Sequence, residues 1–387
     1  MVKRTSRRHK EFLCNLCAIL VNFVVKKIHQ IALKLKMKLY FPKSHYDKSH
    51  RGAVFPLLKP FIKNKGFTDE ERIAMYHTSE RNFQFSETLE ETDLAVLTMS
   101  WNYYVKTNQV DVAVSFVNAC EEQGKKVLVW NSGDFGVRIP AFDNLIILKE
   151  SGYHSKFAEN EFTLPSFIVD PLKKYFQTQT PFLLPYTSKP RIGFCGQASL
   201  SQVKAAKELL LTASRNLKYH LGVRQEEPQA LIPTTHLRAS ILDRLQRSDL
   251  VETDFILRKQ YRAGVTANKD RHATTLEFYD NLKNSPYVVC VRGGGNFSVR
   301  FYEALAMGRI PVFINTDCSL PLPDDIDWKN HVVWVAYKDR HQVAARVSTF
   351  HQSLSESDFF ALQQHNRKLW EEELTLGGFF REFLKGL

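Results

Sequence analysis

Cysteine is scarce and unpatterned. The 387 residues hold six, at positions 14, 17, 120, 195, 290 and 318, without the spacing of a disulfide framework. That excludes a small stapled scaffold and suits a reducing compartment. Cys195, Cys290 and Cys318 stand in or beside apolar runs and read as buried thiols. Cys14 and Cys17 have no second Cys or His pair nearby, which argues against a zinc site. The apolar segment near the start, Phe12 to Val25, is interrupted by Asn15 and Asn22. It is shorter than the ~20 residues a spanning helix needs. No small-residue cleavage site follows it, which disfavours a removed signal peptide. There is no internal repeat, no low-complexity tract, no Walker loop and no G-x-G-x-x-G fingerprint. No Asp-x-Asp stands in a setting that suggests a bound Mg²⁺, and Asp324-Asp325 follows a Pro-rich loop without other obvious ligands.

What is present fits a soluble globular chain, 44% hydrophobic and 24% charged, long enough for two domains. The net charge of +12 is unevenly placed. Residues 1–39 hold ten Lys/Arg against the single acid Glu11, which leaves the body nearly neutral. Beyond Lys26-Lys27, apolar positions continue at helical spacing as Ile28, Ile31, Leu35 and Leu39, while Asn15, Asn22, His29 and Lys36 form a polar stripe. This pattern predicts a basic amphipathic helix over residues 1–39, lying on an anionic membrane surface of a cytoplasmic, peripheral protein. A helix packed on the protein's own body, or an uncleaved signal anchor leading into a secretory compartment, are the alternatives. The arm lacks interleaved aromatics and base-reading motifs, so nucleic acid is not an expected partner.

Strands alternating with helices predict two Rossmann-like parallel-sheet domains. Residues 40 to about 66 read as an irregular first loop. In an N-terminal domain over 40–185, Leu94–Met99, Lys126–Trp130, Asn144–Leu148 and Ser166–Val169 are strand candidates, with a helix over Val110–Gln123. The turn Ser132-Gly133-Asp134-Phe135-Gly136 ends a strand, at the sheet edge where open α/β proteins bind ligands. Asp134 there is the candidate general base, or simply a turn cap. His154 and His77 are weaker rivals. A C-terminal domain over 186–350 follows the Pro-rich hinge, opening with the strand Arg191–Gly196 and the helix Gln202–Leu211. Arg258 and Arg262 lie four apart in Phe255–Arg262, and on a helix they would share one face that grips a diphosphate. A surface pair is the alternative. Residues 351–387 read as helices packing back on the N-terminal domain, with a break at Gly377-Gly378.

Ser285 to Pro323 is the most specific stretch. Tyr287–Val291 reads as a buried strand, and Gly293-Gly294-Gly295 as a loop able to take φ > 0. Asn296 or Ser298 can cap the helix carrying Phe301, Ala304 and Leu305; Gly308 stops that helix, and Ile310–Ile314 forms the next strand. Such a loop and helix N-terminus suit a phosphate, with Arg292 and Arg300 flanking it and Glu303 placed to accept from a ribose diol. A tight turn with solvated arginines is the alternative.

These residues carry a resemblance. The pattern R-G-x-G-N-x-S-x-R-F-Y-E-A-L-x-x-G-R-I-P-V from Arg292 to Val312, with Leu322-Pro323 and Asp327-Trp328 beyond, resembles the exostosin-type (GT47-like) glycosyltransferase family. The match is strong over about 186–340. The resemblance implies a GT-B fold and inverting sugar transfer from a nucleotide-diphosphate sugar, UDP- or GDP-linked, to a glycan or lipid-linked acceptor. It places Arg258, Arg262, Arg292, Gly294, Gly295, Asn296, Ser298, Arg300 and Glu303 at the donor, Glu303 on the ribose. Arginines in place of an Asp-x-Asp predict chemistry without a metal or other cofactor. A non-catalytic nucleotide-binding or membrane-surface protein is the alternative function.

Overall fold

A computed structural model describes residues 37–62, 66–260 and 268–387. The predicted arm, up to residue 36, lies outside the described residues, as does Arg262. Among the described residues no helix is long and apolar enough to cross a membrane.

The chain folds into two parallel-sheet α/β domains of GT-B type. The first contains β1 (Lys38–Tyr40), α1 (Asp69–Tyr76), β2 (Gln84–Phe85), β3 (Leu94–Val96), α2 (Trp101–Lys106) and α3 (Val110–Glu122). It continues through β4 (Val127–Asn131), β5 (Leu145–Lys149), β6 (Glu161–Thr163) and α4 (Pro171–Phe176). The sheet order is β2-β1-β3-β4-β5-β6. Every residue of β4 and β5 is buried, the signature of strands covered on both faces. Leu39 is fully buried in β1, so the amphipathic pattern does not extend to residue 39. Residues 40–62 are not a loose connection: Val54, Phe55, Leu57 and Leu58 are core residues, held between 3₁₀ turns. Ser166–Val169 is not a strand; β6 forms just before it by pairing with β5.

The second domain contains β7 (Arg191–Gln197), α5 (Gln202–His220), α6 (Thr234–Gln246), β8 (Glu252–Arg258), α7 (Asn268–Asn284), β9 (Tyr287–Cys290) and α8 (Val299–Ala306). It closes with β10 (Ile310–Asn315), β11 (Val333–Ala336), α9 (Val343–Gln352), α10 (Glu356–Leu369) and α11 (Leu376–Phe383). Its sheet order is β11-β10-β9-β7-β8, all parallel. Phe255–Arg258 belongs to β8, in register with β7 from Arg191↔Glu252 to Gln197↔Arg258. For Phe255–Arg258 the helical alternative is therefore corrected: ladder pairing outweighs local ambiguity, and Arg258 stands at a strand end.

The last helices return to the first domain. Phe380 meets Phe55, Phe379 meets Phe167, and Phe383 meets Phe162, with ring centroids 5.8, 6.1 and 5.2 Å apart. Each buried Phe contributes about 1.5–3 kcal/mol. Arg367 forks onto buried Asp170 at 3.0 and 2.7 Å, fastening α10 to the first domain. Gly377 and Gly378 lie inside α11 rather than breaking it, with Thr375 as the cap. A Cβ at 377 would stand 1.8 Å from the His77 carbonyl oxygen, so these glycines serve close packing.

Candidate active site

In the second sheet the chain runs outward from β7 to β8 on one side and from β9 to β11 on the other. The topological switch point is the crevice between the C-terminal ends of β7 and β9, where open sheets bind ligands. Three arginines converge there from different elements. Arg300, in the first turn of α8, donates to the Cys195 carbonyl at 2.9 Å and lies over the Phe194 ring at 4.3 Å. Gly196 makes the room, since a Cβ there would stand 2.7 Å from Arg300 Nη2. Arg238, from α6, donates to the carbonyls of Gln197 (2.6 Å) and Arg292 (3.0 Å). Arg292, just past β9, donates to the Tyr153 hydroxyl, the Gln229 side-chain oxygen and the Gly294 carbonyl.

These bonds end on neutral oxygens. Each of the three arginines also keeps a buried Nε without a hydrogen-bond partner among the described residues. Burial lowers the pKa of Arg300, and burial together with Arg300 pushes Arg238 down to about 10. Carboxylates act on these groups only from a distance, Glu303 on Arg300, Glu208 on Arg238 and Asp134 with Arg292, and three crowded guanidinium groups bonded to neutral oxygens favour an anion.

The glycine loop works differently from the expectation of positive φ. Gly293, Gly294 and Gly295 are absent from the positive-φ positions, whereas Gly308, which ends α8, has φ +69°. What the loop requires is space for the first domain. A Cβ at 294 would stand 2.9 Å from Asp134 Oδ2, and one at 295 would stand 2.5 Å from the Asp134 carbonyl oxygen. Asp134 thus projects from the turn after β4 across to the glycine loop. The residue is exposed as a whole, and its carboxyl group is partly shielded where it meets the glycine loop. This raises its pKa, with Arg292 pulling it back down.

Glu150, at the end of β5, is the acid that sequence reading missed. It accepts from Trp130 Nε1 at 3.1 Å and from the backbone of Gly133, within the Asp134 turn. Burial pushes its pKa up to about 7, against the pull of these bonds and of Lys59. Lys59 in turn sits over the Trp130 ring at 5.0 Å. An acid directly after a buried strand was the available signal. Beside the glycine loop, a pocket of about 150 Å³ opens between Phe135, Arg215, Gln229, Arg292 and Gly294.

The Exostosin GT47 domain profile matches residues 152–350, more than half of the chain. The chain belongs to the exostosin GT47 family. Exostosin-1 of Drosophila melanogaster is 28% identical over 184 residues, 47% of this chain and 22% of that protein. A "Probable beta-1,4-xylosyltransferase" of Arabidopsis thaliana is 38% identical over 68 residues, 18% of this chain and 16% of its own. A "Probable glucuronosyltransferase" of Oryza sativa subsp. japonica is 35% identical over 66 residues, 17% of this chain and 16% of its own. The alignments thus span about a fifth or less of these relatives.

The exostosin-matched segment holds the arginine crevice and the glycine loop; Asp134 and Glu150 precede it. The remaining residues singled out in the sequence divide. Glu303 lies on α8 and accepts from the Tyr279 hydroxyl at 3.2 Å. Ser298 occupies the N-cap position of α8 without a side-chain cap bond. Asn296 is fully buried, and its amide donates to the carbonyls of Gly152, Thr316 and Asp317, bracing the two domains. Arg258 donates to the Thr274 carbonyl and to Glu277, one strand away from the crevice. His77 packs its ring on Trp370 and His154 donates its backbone N–H to Asp317.

Proposed function

We propose that this exostosin-family chain is a glycosyltransferase that moves a sugar from a uridine or guanosine diphosphate sugar to a glycan or lipid-linked acceptor. The observation that carries the reading is the convergence of Arg238, Arg292 and Arg300 on the switch-point crevice, with no carboxylate among their hydrogen-bond acceptors in the described residues. A nucleotide diphosphate supplies the missing charge, and Glu303 takes the ribose. Asp134 accepts the proton of the acceptor hydroxyl, whose oxygen attacks the anomeric carbon. The bond from that carbon to the diphosphate oxygen breaks, and its electron pair leaves with the nucleotide. A single displacement of this kind inverts the anomeric centre. The arginines take the role that a metal ion fills elsewhere, stabilising the departing diphosphate. Glu150 positions the Asp134 turn through Gly133 and Trp130.

A thermal-shift panel of nucleotides and nucleotide sugars, with and without EDTA, tests the donor site. At about 100 Kd a single bound nucleotide adds about 2.7 kcal/mol of stability. The expected result is a shift with one nucleoside diphosphate that survives EDTA and shrinks by half or more in Arg300→Ala. No shift with any nucleotide sinks the reading.

The ten cations of residues 1–39 support a second contact, with an anionic membrane surface. Co-sedimentation with phosphatidylserine vesicles, present in the full chain and absent on deletion of residues 1–36, tests it.

A further inference from the structure

Helix α5 (Gln202–His220) buries one of its 19 residues, Ala205. Its inner face is pinned: Glu208 accepts from Thr234 and Thr235, and the Asn216 side chain pairs with the Gln229 backbone. The outer face is therefore fixed towards solvent, yet it is apolar. Val203, Leu210 and Leu217 recur at intervals of seven, Ala206 and Ala213 fall between them, and Leu221 closes the line. Val203, Leu210, Leu217 and Leu221 are 81, 72, 58 and 67% exposed. Single exposed leucines need no explanation. A sustained heptad line does, because that spacing keeps side chains facing a partner helix.

We infer that α5 is a docking helix for an amphipathic helix of another protein, one flanked by acidic side chains. Three features of α5 select this occupant. At about 100° per residue the apolar line is only about 80° wide, and Leu211, the other large exposed apolar side chain of α5, stands apart from it beyond Lys207 and Lys218, beside the Phe135 pocket; this is the narrow seam of a helix pair rather than the broad face of a helix lying in a bilayer. Ala206 and Ala213 leave room for a second backbone to approach closely. The charge beside the seam has one sign: Lys204, Lys207 and Lys218 stand along it, while Arg215 turns to the Phe135 ring at 5.5 Å and the one acid, Glu208, is turned inward. A second copy would bring like charge against like. So would the chain's own first 39 residues, with ten cations and one acid. An acidic flank complements it.

The test uses the full chain and a fluorescein-labelled 21-residue helical peptide with Leu and Ala in the heptad seam and Glu on both flanks. Anisotropy should show saturable binding that weakens with salt. Leu210→Glu should weaken it at least about tenfold, since seam anchors dominate such contacts. A twin peptide with Lys flanks should bind at least about tenfold more weakly than the acidic one. Thermal unfolding of Leu210→Glu should match the parent, because the side chain is exposed. The inference is overturned if the acidic peptide fails to bind or if the Lys twin binds equally well. It is also overturned if sedimentation shows a dimer that Leu210→Glu dissociates, or if binding to phosphatidylserine vesicles is lost in that variant. Acidic-peptide binding that appears only on deletion of residues 1–36 would assign the seam to the chain's own arm instead.

Discussion

The Asp134 carboxylate occupies the volume that a side chain at Gly294 would need: Oδ2 lies 2.9 Å from the Cβ position there. The glycine loop of one domain is thereby shaped by an acid of the other, and the proposed base is brought next to the proposed diphosphate site.

This relationship orders three alanine substitutions. Gly293→Ala meets nothing within 4 Å and should leave stability and turnover unchanged. Gly294→Ala displaces a movable carboxylate, so turnover should fall with little loss of stability. Gly295→Ala meets the Asp134 backbone at 2.5 and 2.9 Å and should destabilise by about 1–3 kcal/mol. Urea unfolding and sugar-transfer rates check the order; equal effects at 293 and 295 would refute it.

Asp134→Asn should lower the transfer rate about 10²–10⁴-fold while nucleotide binding is retained, as expected for loss of a general base. In the parent, the rate should rise with pH through a carboxyl pKa held above its ordinary value by burial. A rate unchanged in the variant would return Asp134 to the role of a turn cap.

Glu150 gives a stability signature of defined sign. Its pKa is raised from 4.5 to about 7, so the folded state binds more protons than the unfolded state between those values. The associated stability is fully present below pH 4.5 and is lost as pH rises through 7. Between pH 4.5 and 8 the parent should therefore lose up to about 3 kcal/mol relative to Glu150→Gln. Urea midpoints of both proteins across this range provide the measurement; parallel curves would exclude the raised pKa.

Arg300→Met and Arg238→Met should weaken nucleoside diphosphate binding about 10–100-fold each, the worth of a charge-assisted hydrogen bond. Neither should destabilise the ligand-free protein as strongly as Arg367→Ala, because the bonds described for Arg300 and Arg238 end on carbonyl oxygens whereas Arg367 forks onto the Asp170 carboxylate. Breaking that buried pair should cost about 3–5 kcal/mol. Calorimetric titration with thermal unfolding of the three variants decides it.

Much of the second domain was legible. The apolar run of β9, the glycines, the apolar face of α8 and Gly308 specify strand, loop, helix and strand locally, and the structure follows that order. Arg258 was misplaced because Phe255-Ile256-Leu257 suits either a strand or a buried helix turn, and pairing with β7 decides between them. Arg238 went unnoticed: within Thr234–Gln246 it reads as one polar position of an ordinary helix, and only packing against β7 and β9 aims it at the crevice. Residues 40–62 looked irregular because their 3₁₀ turns lack a sustained period, although Phe55, Leu57 and Leu58 are core.

By itself the sequence determined the periodic elements, the division into two parallel-sheet halves and the family, since each rests on local pattern or motif. Tertiary structure alone decided what the glycines accommodate, which arginines share a crevice, and that Glu150 holds the Asp134 turn. Those relations join residues far apart in the chain, such as Asp134 with Gly294 or Arg300 with Cys195. The Arg300 contact exists only once β7 and β9 lie side by side, and the Asp134 contact only once the two sheets meet at their C-terminal edges; both are set by packing rather than by any local propensity.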